Sequence, residues 1–289
     1  MKDNKRDFIQ ASSFSTKKLY DEVYKIDGHD YGRAKLNDVS TIKYDVVKKY
    51  LDQFHIDGNK IVLEIGCGIG RLHDCHPNWM GIEYSGTAVA LAKQRFGQGL
   101  NIKEGDARSL PVESCSVDFL YSIATLEHVP AIELAFQEIE RVLKPGGIAV
   151  LAPAWNARPW TVKKLQQRPY GELTPLERVG KFLIPVRENI LFRMLCSFPA
   201  RLSREVRISF GRIIPLEYKE LKPDFSLWDT YPHIADDDAF VSIDAHSALC
   251  YFVARKWGII SHPNRIQRSL CRHGEIVLQK PNEDGAFEC

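Results

Sequence analysis

The chain has 289 residues, of which 44% are hydrophobic, and its formal net charge is +2. This length suits one large α/β domain with an insertion, or a core with a small cap. The chain contains no run of 18 apolar residues, which excludes a membrane-spanning helix, and the small net charge gives no reason to expect a nucleic-acid partner.

The start of the chain, Met1–Asp7, is polar, and no apolar stretch follows it. A secretory leader is therefore not expected. The seven cysteines are widely spaced and form no C-x-x-C pair, which favours reduced thiols over a disulfide framework. Both observations predict a cytoplasmic protein.

Four segments are predicted along the chain. A helical lead covers residues 1–59 and a ligand-binding core covers 60–153. Residues 154–222 form an insertion, and 223–289 complete the core. The insertion is distinguished by its charge, because Trp155 to Lys222 contains 14 Lys and Arg against 6 Asp and Glu, a balance of +8.

A glycine-rich turn follows the first predicted strand, Ile61–Ile65. Gly66, Gly68 and Gly70 stand at alternate positions, and their missing Cβ atoms let a ligand lie against bare backbone. Dinucleotide-binding turns have the spacing G-x-G-x-x-G. Here the third glycine comes one residue early, so the turn departs from the dinucleotide pattern.

The next two predicted strands also end in residues that can bind a ligand. Trp79–Glu83 ends in a carboxylate, 19 residues after Glu64. A carboxylate accepts hydrogen bonds only, so it can accept one from each hydroxyl of a ribose. Asn101–Ala107 is predicted as the third strand, and it closes on Gly-Asp-Ala.

A fourth strand is predicted over Val117–Ser122, and it runs into the segment Ile123–Val129. A helix follows over Ile132–Leu143. Lys144–Gly147 contains a proline and two glycines, so it is predicted to break the chain before a fifth strand, Ile148–Ala152.

The last elements are predicted after the insertion. Asp244–Lys256 indicates a helix that Gly258 stops, and Glu275–Lys280 alternates like a strand. Helices that alternate with strands predict a mostly parallel sheet, with ligands at the carboxyl ends of the strands.

The acidic residue before the turn, the G-x-G-x-G spacing, the carboxylate after the second strand and the Gly-Asp-Ala after the third together resemble the class I S-adenosylmethionine (SAM) methyltransferases of the "type 11" family. The resemblance implies an α/β, Rossmann-like fold: a seven-stranded, mostly parallel sheet in the order 3-2-1-4-5-7-6, with strand 7 antiparallel and a helical insertion or cap after strand 5. It implies SAM as cofactor and S-adenosylhomocysteine as product.

The same resemblance implies which residues bind the cofactor. The aspartate of the family's Gly-Asp-Ala accepts a hydrogen bond from the adenine amino group, a role that falls on Asp106. The implied cofactor-binding residues are Glu64, Gly66, Cys67, Gly68, Gly70, Glu83, Tyr84, Gly105, Asp106, Ala107, Ser122 and Ile123.

The implied activity is methyl transfer to a small-molecule or carrier-linked acceptor, with a hydroxyl oxygen as the favoured atom. The D/N-P-P-Y motif of N-methyltransferases is replaced by Ser122–Thr125, but transfer to nitrogen or carbon of a small metabolite stays open. A function of another class also stays open, namely a non-catalytic subunit that binds SAM and a partner.

Three histidines are candidate general bases, since imidazole titrates near neutral pH. His128 follows the fourth strand, although a histidine here can equally brace the loop. His233 and His246 lie in the C-terminal segment, where acidic and aromatic residues are frequent.

No metal is predicted. Some relatives within the resemblance bind a divalent ion through E-x-x-E-H at this point, but Ala124 replaces the first glutamate and leaves only Glu127 and His128. Two ligands do not make a tight metal site. His73, Cys75 and His76 lie close in sequence but lack a fourth ligand at a suitable spacing.

The basic insertion has three interpretations. Arg201, Arg204 and Arg207 follow a stretch of large apolar residues, as in a helical cap that packs on the core and solvates its arginines. Alternatively, the insertion contacts an anionic membrane peripherally, or its arginines bind the phosphate of an anionic acceptor. The sequence gives no prediction of the oligomeric state.

Overall fold

The computed structural model describes residues 17–25, 33–228 and 230–282 of the chain. Parts of the predicted N-terminal lead (1–16 and 26–32), the single residue 229 and the last seven residues of the predicted C-terminal segment (283–289) lie outside this description.

The central element is a seven-stranded sheet with the order β3-β2-β1-β4-β5-β9-β8. Because β6 and β7 belong to a separate sheet, this is the predicted order 3-2-1-4-5-7-6, and the predicted fold class is confirmed. The strands are β1 (Val62–Ile65), β2 (Trp79–Glu83), β3 (Ile102–Glu104), β4 (Val117–Ile123), β5 (Leu143–Ala152), β6 (Tyr218–Glu220), β7 (Val241–Ile243), β8 (Gly258–Ile259) and β9 (Ile276–Gln279).

Parallel pairing of the first four strands brings their carboxyl ends to one edge. β1 pairs with β2 through Ile65 and Ile82, and β2 pairs with β3 through Glu83 and Glu104. β1 also pairs in parallel with β4. All four residues of β1 are buried, as expected for a parallel strand covered on both faces.

The described residues form ten α-helices: α1 (17–25), α2 (Arg33–Gln53), α3 (Gly86–Phe96), α4 (Ile132–Val142), α5 (Pro159–Val162), α6 (Pro175–Phe182), α7 (Ile184–Glu188), α8 (Ile190–Ser209), α9 (Ala245–Val253) and α10 (Arg265–Leu270). Side chains cap several of them. Ser85 accepts a hydrogen bond from the amide of Ala88 and starts α3, and Thr174 and Glu177 form a capping box on α6.

Two boundaries differ from the sequence predictions. The predicted breaker Lys144–Gly147 belongs to β5, which begins at Leu143. Backbone hydrogen bonds with Lys280 keep this segment in the strand despite its glycines. The amide of Gly146 donates to the carbonyl of Lys280, and the amide of Lys280 donates to the carbonyl of Gly147. The predicted helix Asp244–Lys256 is shorter, because Asp244 caps α9 and the regular helix ends at Val253.

The chain divides into two compact units. The first contains the described residues up to Thr125, Ala131–Leu151 and the residues from Gln279 onward. The second contains Leu126–Pro130 and Ala152–Leu278. The insertion after β5 is helical, with α5 to α8, as predicted, and the second unit also holds the antiparallel pair β6–β7, which the sequence analysis missed.

The described residues bear on two further features, membrane-spanning helices and the state of the cysteines. None of their helices combines the length and hydropathy needed to cross a bilayer. Among the described residues, Cys67, Cys75, Cys196, Cys250 and Cys271 are free thiols, whereas Cys115 is disulfide-bonded.

Candidate cofactor-binding site

The glycine-rich turn leaves the carboxyl end of β1 and has left-handed backbone at each of its glycines. The φ angles of Gly66, Gly68 and Gly70 are +74°, +55° and +70°. Residues with a Cβ rarely adopt this conformation, so the sequence spacing and the backbone path agree. The amide of Gly66 donates to the carbonyl of Ile82 over 2.8 Å, which holds the turn beside the end of β2.

The three glycines differ in what surrounds them. A Cβ atom on Gly66 would lie 2.2 Å from the side chain of Thr125, so a protein side chain already fills that space. Among the described residues, a Cβ on Gly68 would meet only the hydroxyl of Tyr24, at 3.1 Å. Bare backbone available to a ligand is therefore found at Gly68 rather than at Gly66.

Glu83 ends β2 with a carboxylate that is bound to the turn. Its Oε2 atom accepts a hydrogen bond from the amide of Gly68 over 2.8 Å, and its Oε1 atom accepts one from the amide of Ser85 over 2.9 Å. Burial raises the pKa of Glu83, and these amides counteract the rise. A carboxylate has about four acceptor positions, so two remain for the hydroxyls of a ribose.

Asp106 follows β3 and is bound by a residue that the sequence analysis missed. The guanidinium of Arg108 donates to both carboxylate oxygens, at 3.0 Å to Oδ1 and 2.6 Å to Oδ2. The amide of neighbouring Gly105 donates to the carbonyl of Glu83, so the ends of β2 and β3 are joined. An adenine amino group at Asp106 must therefore share this carboxylate with Arg108.

The other predicted cofactor residues lie along the same strand ends. Ser122 is fully buried near the end of β4, and its hydroxyl donates to the carbonyl of Ile65. Cys67 is buried within the turn, where burial raises the pKa of its thiol. Ala107 is also buried, whereas Tyr84 and Ile123 are half-buried.

Glu64 lies below the turn, in the middle of β1. Its Oε2 atom accepts hydrogen bonds from the indole of Trp79 at 3.0 Å and from the hydroxyl of Tyr121 at 2.9 Å. Burial raises the pKa of Glu64 to about 7. These contacts give Glu64 a structural role in the core, and its predicted contact with the cofactor stays a prediction.

Glu64→Gln is expected to stabilise the protein at pH 8 and to have little effect at pH 5. The pKa of Glu64 rises from 4.5 to about 7 on folding, so the folded state binds more protons and loses stability as the pH rises through this window. A shift of this size corresponds to roughly 3 kcal/mol above pH 7, of which glutamine regains part because one of its amide hydrogens lacks a partner. Thermal unfolding at both pH values measures the difference. Equal changes at the two pH values would contradict this assignment.

The N-terminal lead contributes two further residues to this region. Asp21 on α1 accepts hydrogen bonds from the hydroxyl of Ser85 at 2.6 Å and from the amide of Thr87 at 3.1 Å. Tyr24, one turn later on the helix, is the residue next to Gly68. Neither residue belongs to a recognisable motif, and only the long-range contact identifies them.

His128 lies between two carboxylates in the second unit. Its Nδ1 atom is 3.3 Å from Asp238, and its Nε2 atom is 3.6 Å from Glu127. Burial lowers the pKa of His128, but Asp238 and Glu127 raise it by more, so the pKa lies above its usual value. Glu127 is itself buried, which raises its own pKa.

The other two candidate bases are in different surroundings. His246 is fully buried, with Nε2 3.2 Å from Glu205 and Nδ1 3.5 Å from Arg204, which does not fit a base that meets an acceptor. His233 is exposed, packs edge-on against Trp228 and lies 3.6 Å from Asp237. No contact joins His128, His233 and His246 to one another among the described residues.

The described residues contain one cluster with metal-ligand side chains: Glu205, His246 and Cys250. The negative charge of Glu205 is already neutralised by Arg268, whose guanidinium donates to the carboxylate over 2.9 Å. A second guanidinium, that of Arg204, lies 3.5 Å from His246. His73 and His76, the other histidines considered as metal ligands, each have a ring nitrogen hydrogen-bonded to a backbone carbonyl, that of Gly70 for His73 and that of Asp57 for His76.

The chain is similar to known methyltransferases over part of its length. The sequence profile of the type 11 methyltransferase domain matches residues 63–151. A sterol 24-C-methyltransferase of Gibberella zeae is 36% identical over 97 residues, which are 30% of this chain and 26% of that protein. An uncharacterised methyltransferase-like protein of Schizosaccharomyces pombe is 30% identical over 151 residues, 50% of this chain and 56% of that protein. The match thus spans between about a quarter and just over half of these relatives.

Among solved structures, the SAM-bound amino pentose methyltransferase CalS10 from Micromonospora echinaspora aligns with a TM-score of 0.33 and 23% identity, over 47% of this chain and 56% of that chain. The predicted family and cofactor are confirmed by the profile match. Residues 63–151 are thus similar to the methyltransferase domain of the type 11 family, as the sequence analysis predicted.

Proposed function

We propose that the protein transfers the methyl group of SAM to a small-molecule or carrier-linked acceptor, at a hydroxyl oxygen. The observation that carries the proposal is the left-handed turn Gly66–Gly70, with the carboxylate of Glu83 bound to its Gly68 amide. This arrangement fits the cofactor, because Gly68 exposes backbone and Glu83 retains acceptor positions.

The residues have distinct roles in this proposal. When bound, SAM supplies a methyl group on a positively charged sulfur, which already makes the methyl electrophilic. The protein has to hold the two reactants in line and keep water out. Glu83 would bind the ribose hydroxyls, the turn at Gly68 would bind the methionine part, and Asp106 would bind the adenine amino group.

His128 is the residue that we propose as general base for a hydroxyl acceptor. Asp238 contacts its Nδ1 atom and fixes the orientation of the ring, while Glu127 lies near Nε2. The same carboxylates stabilise the imidazolium that forms when His128 accepts a proton. Only neutral His128 can accept a proton, so its raised pKa predicts an activity that increases with pH.

The test is a methyl-transfer assay with isotope-labelled SAM and a panel of hydroxyl, amine and alkene acceptors. With a hydroxyl acceptor, kcat/KM should rise as the pH increases through the raised pKa of His128. His128→Gln should lower kcat about 10²- to 10⁴-fold, the usual contribution of a general base, and flatten the pH profile. His233 is an exposed histidine in the same unit, so His233→Gln is the matched control and should keep the pH profile of the wild type. An unchanged profile in His128→Gln would contradict the role of His128.

A carbon acceptor is the second candidate. The sterol relative transfers to carbon by its name, and its similarity covers 30% of this chain. Turnover of an alkene acceptor and none of the hydroxyl compounds would favour it. Binding of S-adenosylhomocysteine without turnover of any acceptor would instead favour the non-catalytic subunit.

Methyl transfer is expected to survive dialysis against EDTA. Ala124 replaces one ligand of the motif that binds a divalent ion in some relatives, and the cluster of Glu205, His246 and Cys250 is compensated by arginines. Activity before and after dialysis, with a mock-dialysed sample as control, measures this. Loss of activity that Mg²⁺, Mn²⁺ or Zn²⁺ restores would show that a metal is needed.

A further inference from the structure

Helix α8 of the insertion buries its charged face. Arg201, Arg204 and Glu205 are each less than 10% exposed. A helix on the surface of a globular protein normally buries its apolar stripe and solvates its charges. Here the polarity is reversed, because charged side chains of α8 are buried and most of its apolar side chains are exposed.

The buried charges of α8 are all paired within the second unit. Arg201 binds Asp244, the N-cap of α9, at 2.6 Å, and Arg204 binds Glu217 at 2.8 Å. Glu205 pairs with Arg268 of α10, and this pairing together with His246 outweighs burial and lowers the pKa of Glu205 to about 2. These arginines therefore anchor α8, which contradicts the interpretation in which they are solvated or bind an acceptor phosphate.

Most apolar side chains of α8, by contrast, are exposed. Leu191, Leu195, Phe198, Leu202 and Val206 recur at helical spacing and are between 46% and 74% exposed. Phe210 and Ile213, which follow α8 in the chain, are also exposed, as are three residues of α6: Leu176, Val179 and Phe182. We call these ten residues the apolar face. Large exposed apolar side chains in this number are typical of an interaction site.

The surroundings of the apolar face are basic. Arg187 precedes α8 and Arg212 follows it, both are exposed, and neither has an ion pair within the described part of the chain. The nearby carboxylates are occupied: Glu177 lies beside Arg168 and caps α6, and Glu188 lies 3.5 Å from Arg158. The face therefore combines apolar side chains with uncompensated positive charge.

Arg193, within α8, lies among groups of both signs. Burial and the guanidinium groups of Arg158 and Arg272 lower its pKa, whereas the carboxylates of Asp244 and Glu188 raise it. Arg193 is therefore not counted among the uncompensated charges of the apolar face.

We propose that the apolar face of α6 and α8 docks on an anionic lipid bilayer, with its large side chains among the acyl chains and Arg187 and Arg212 at the headgroups. Helices of this composition lie in the membrane interface. A second copy of the chain fits less well, because a symmetric dimer through this face would bring the same arginines together. A nucleic acid would not cover the leucines and phenylalanines.

The test is flotation of the full chain with vesicles of phosphatidylcholine alone, or with about 30% phosphatidylserine. Binding is expected with the anionic vesicles and should weaken as salt rises, since exposed charges are screened over about 8 Å at physiological ionic strength. Arg187→Gln with Arg212→Gln should lower partitioning about 30-fold at low salt, because each cation near an anionic surface contributes about fivefold. Lys103→Gln with Arg95→Gln, two exposed cations of the first unit, changes the net charge equally and should have no such effect.

Leu195→Gln with Phe198→Gln should reduce partitioning at least about tenfold at every salt concentration, since it removes buried apolar area. Both residues are exposed, so folding should be kept, which circular dichroism checks. Leu134→Gln on α4, an exposed leucine of the first unit, is the control. The exposed Cys196 on α8 offers a site for an environment-sensitive dye, whose emission should shift to the blue on anionic vesicles only.

Three results would overturn the proposal. Wild type that fails to float with anionic vesicles at low salt excludes the membrane. Flotation that is retained both by Arg187→Gln with Arg212→Gln and by Leu195→Gln with Phe198→Gln would assign membrane binding to another surface. A dimer in light scattering that Leu195→Gln with Phe198→Gln dissociates, without flotation, assigns the apolar face to a second copy.

Discussion

Gly68→Val is expected to abolish binding of S-adenosylhomocysteine and to leave the fold intact. The Cβ of the valine would lie at a point where, in the described part of the chain, only the hydroxyl of Tyr24 is within 4 Å. The side chain would therefore occupy space that the backbone offers to the ligand. The left-handed φ of +55° adds strain of about 1–2 kcal/mol, which a folded domain tolerates. Calorimetric titration with S-adenosylhomocysteine measures the affinity, and thermal unfolding measures the stability.

Gly97→Val is the matched control for this prediction. Gly97 also has a positive φ, +102°, but a Cβ there would meet no atom of a described residue within 4 Å, and Gly97 ends α3, outside the turn. It should therefore carry the strain and keep the affinity. Gly66→Val is the less informative variant, because its Cβ would clash with Thr125 and destabilise the protein itself. Unchanged affinity in Gly68→Val would remove the turn from the cofactor site.

The parts of this site that the sequence predicted are those in which spacing alone dictates geometry. Gly66, Gly68 and Gly70 predict a left-handed turn because other residues avoid that backbone. The carboxylate of Glu83 could be placed for a similar reason, since parallel strands in sequence end at one edge of the sheet. Local pattern was sufficient in both cases.

The missed residues depend on partners that are remote in sequence. Asp21 reaches Ser85 across 64 positions, and no motif marks either residue. Lys144–Gly147 has the composition of a breaker, yet Lys280 supplies backbone partners that keep it in β5. Composition describes what a segment prefers alone, and a partner strand can override that preference.

The insertion shows the same limit for a helix. The large apolar residues of the insertion and Arg201, Arg204 and Arg207 after them predicted a helical cap. Which face is buried depends on Asp244 and Arg268, which come tens of residues later and bind the charges of α8. Amphipathic spacing identifies two faces of a helix but does not decide which one packs inward.

Glu83→Ala is expected to weaken the binding of S-adenosylhomocysteine by about 30- to 1,000-fold. The variant loses two charge-assisted hydrogen bonds to the ribose, each contributing roughly 1.5–3 kcal/mol and partly replaced by water, which gives about 2–4 kcal/mol in total. It also removes the acceptor for the amide of Gly68. Asp106→Ala should cost less, because one contact to the adenine amino group is lost and because Arg108 already engages that carboxylate.

Glu104→Ala is the control for both variants, and isothermal titration of all three measures the comparison. Glu104 ends β3 as Glu83 ends β2, but its carboxylate is half-exposed and pairs with Lys17, so its loss should leave the affinity unchanged. A larger loss in Asp106→Ala than in Glu83→Ala would reverse the placement of ribose and adenine. An equal loss in Glu104→Ala would show that removing any carboxylate from this edge lowers the affinity, and the contact between Glu83 and the ribose would then be unsupported.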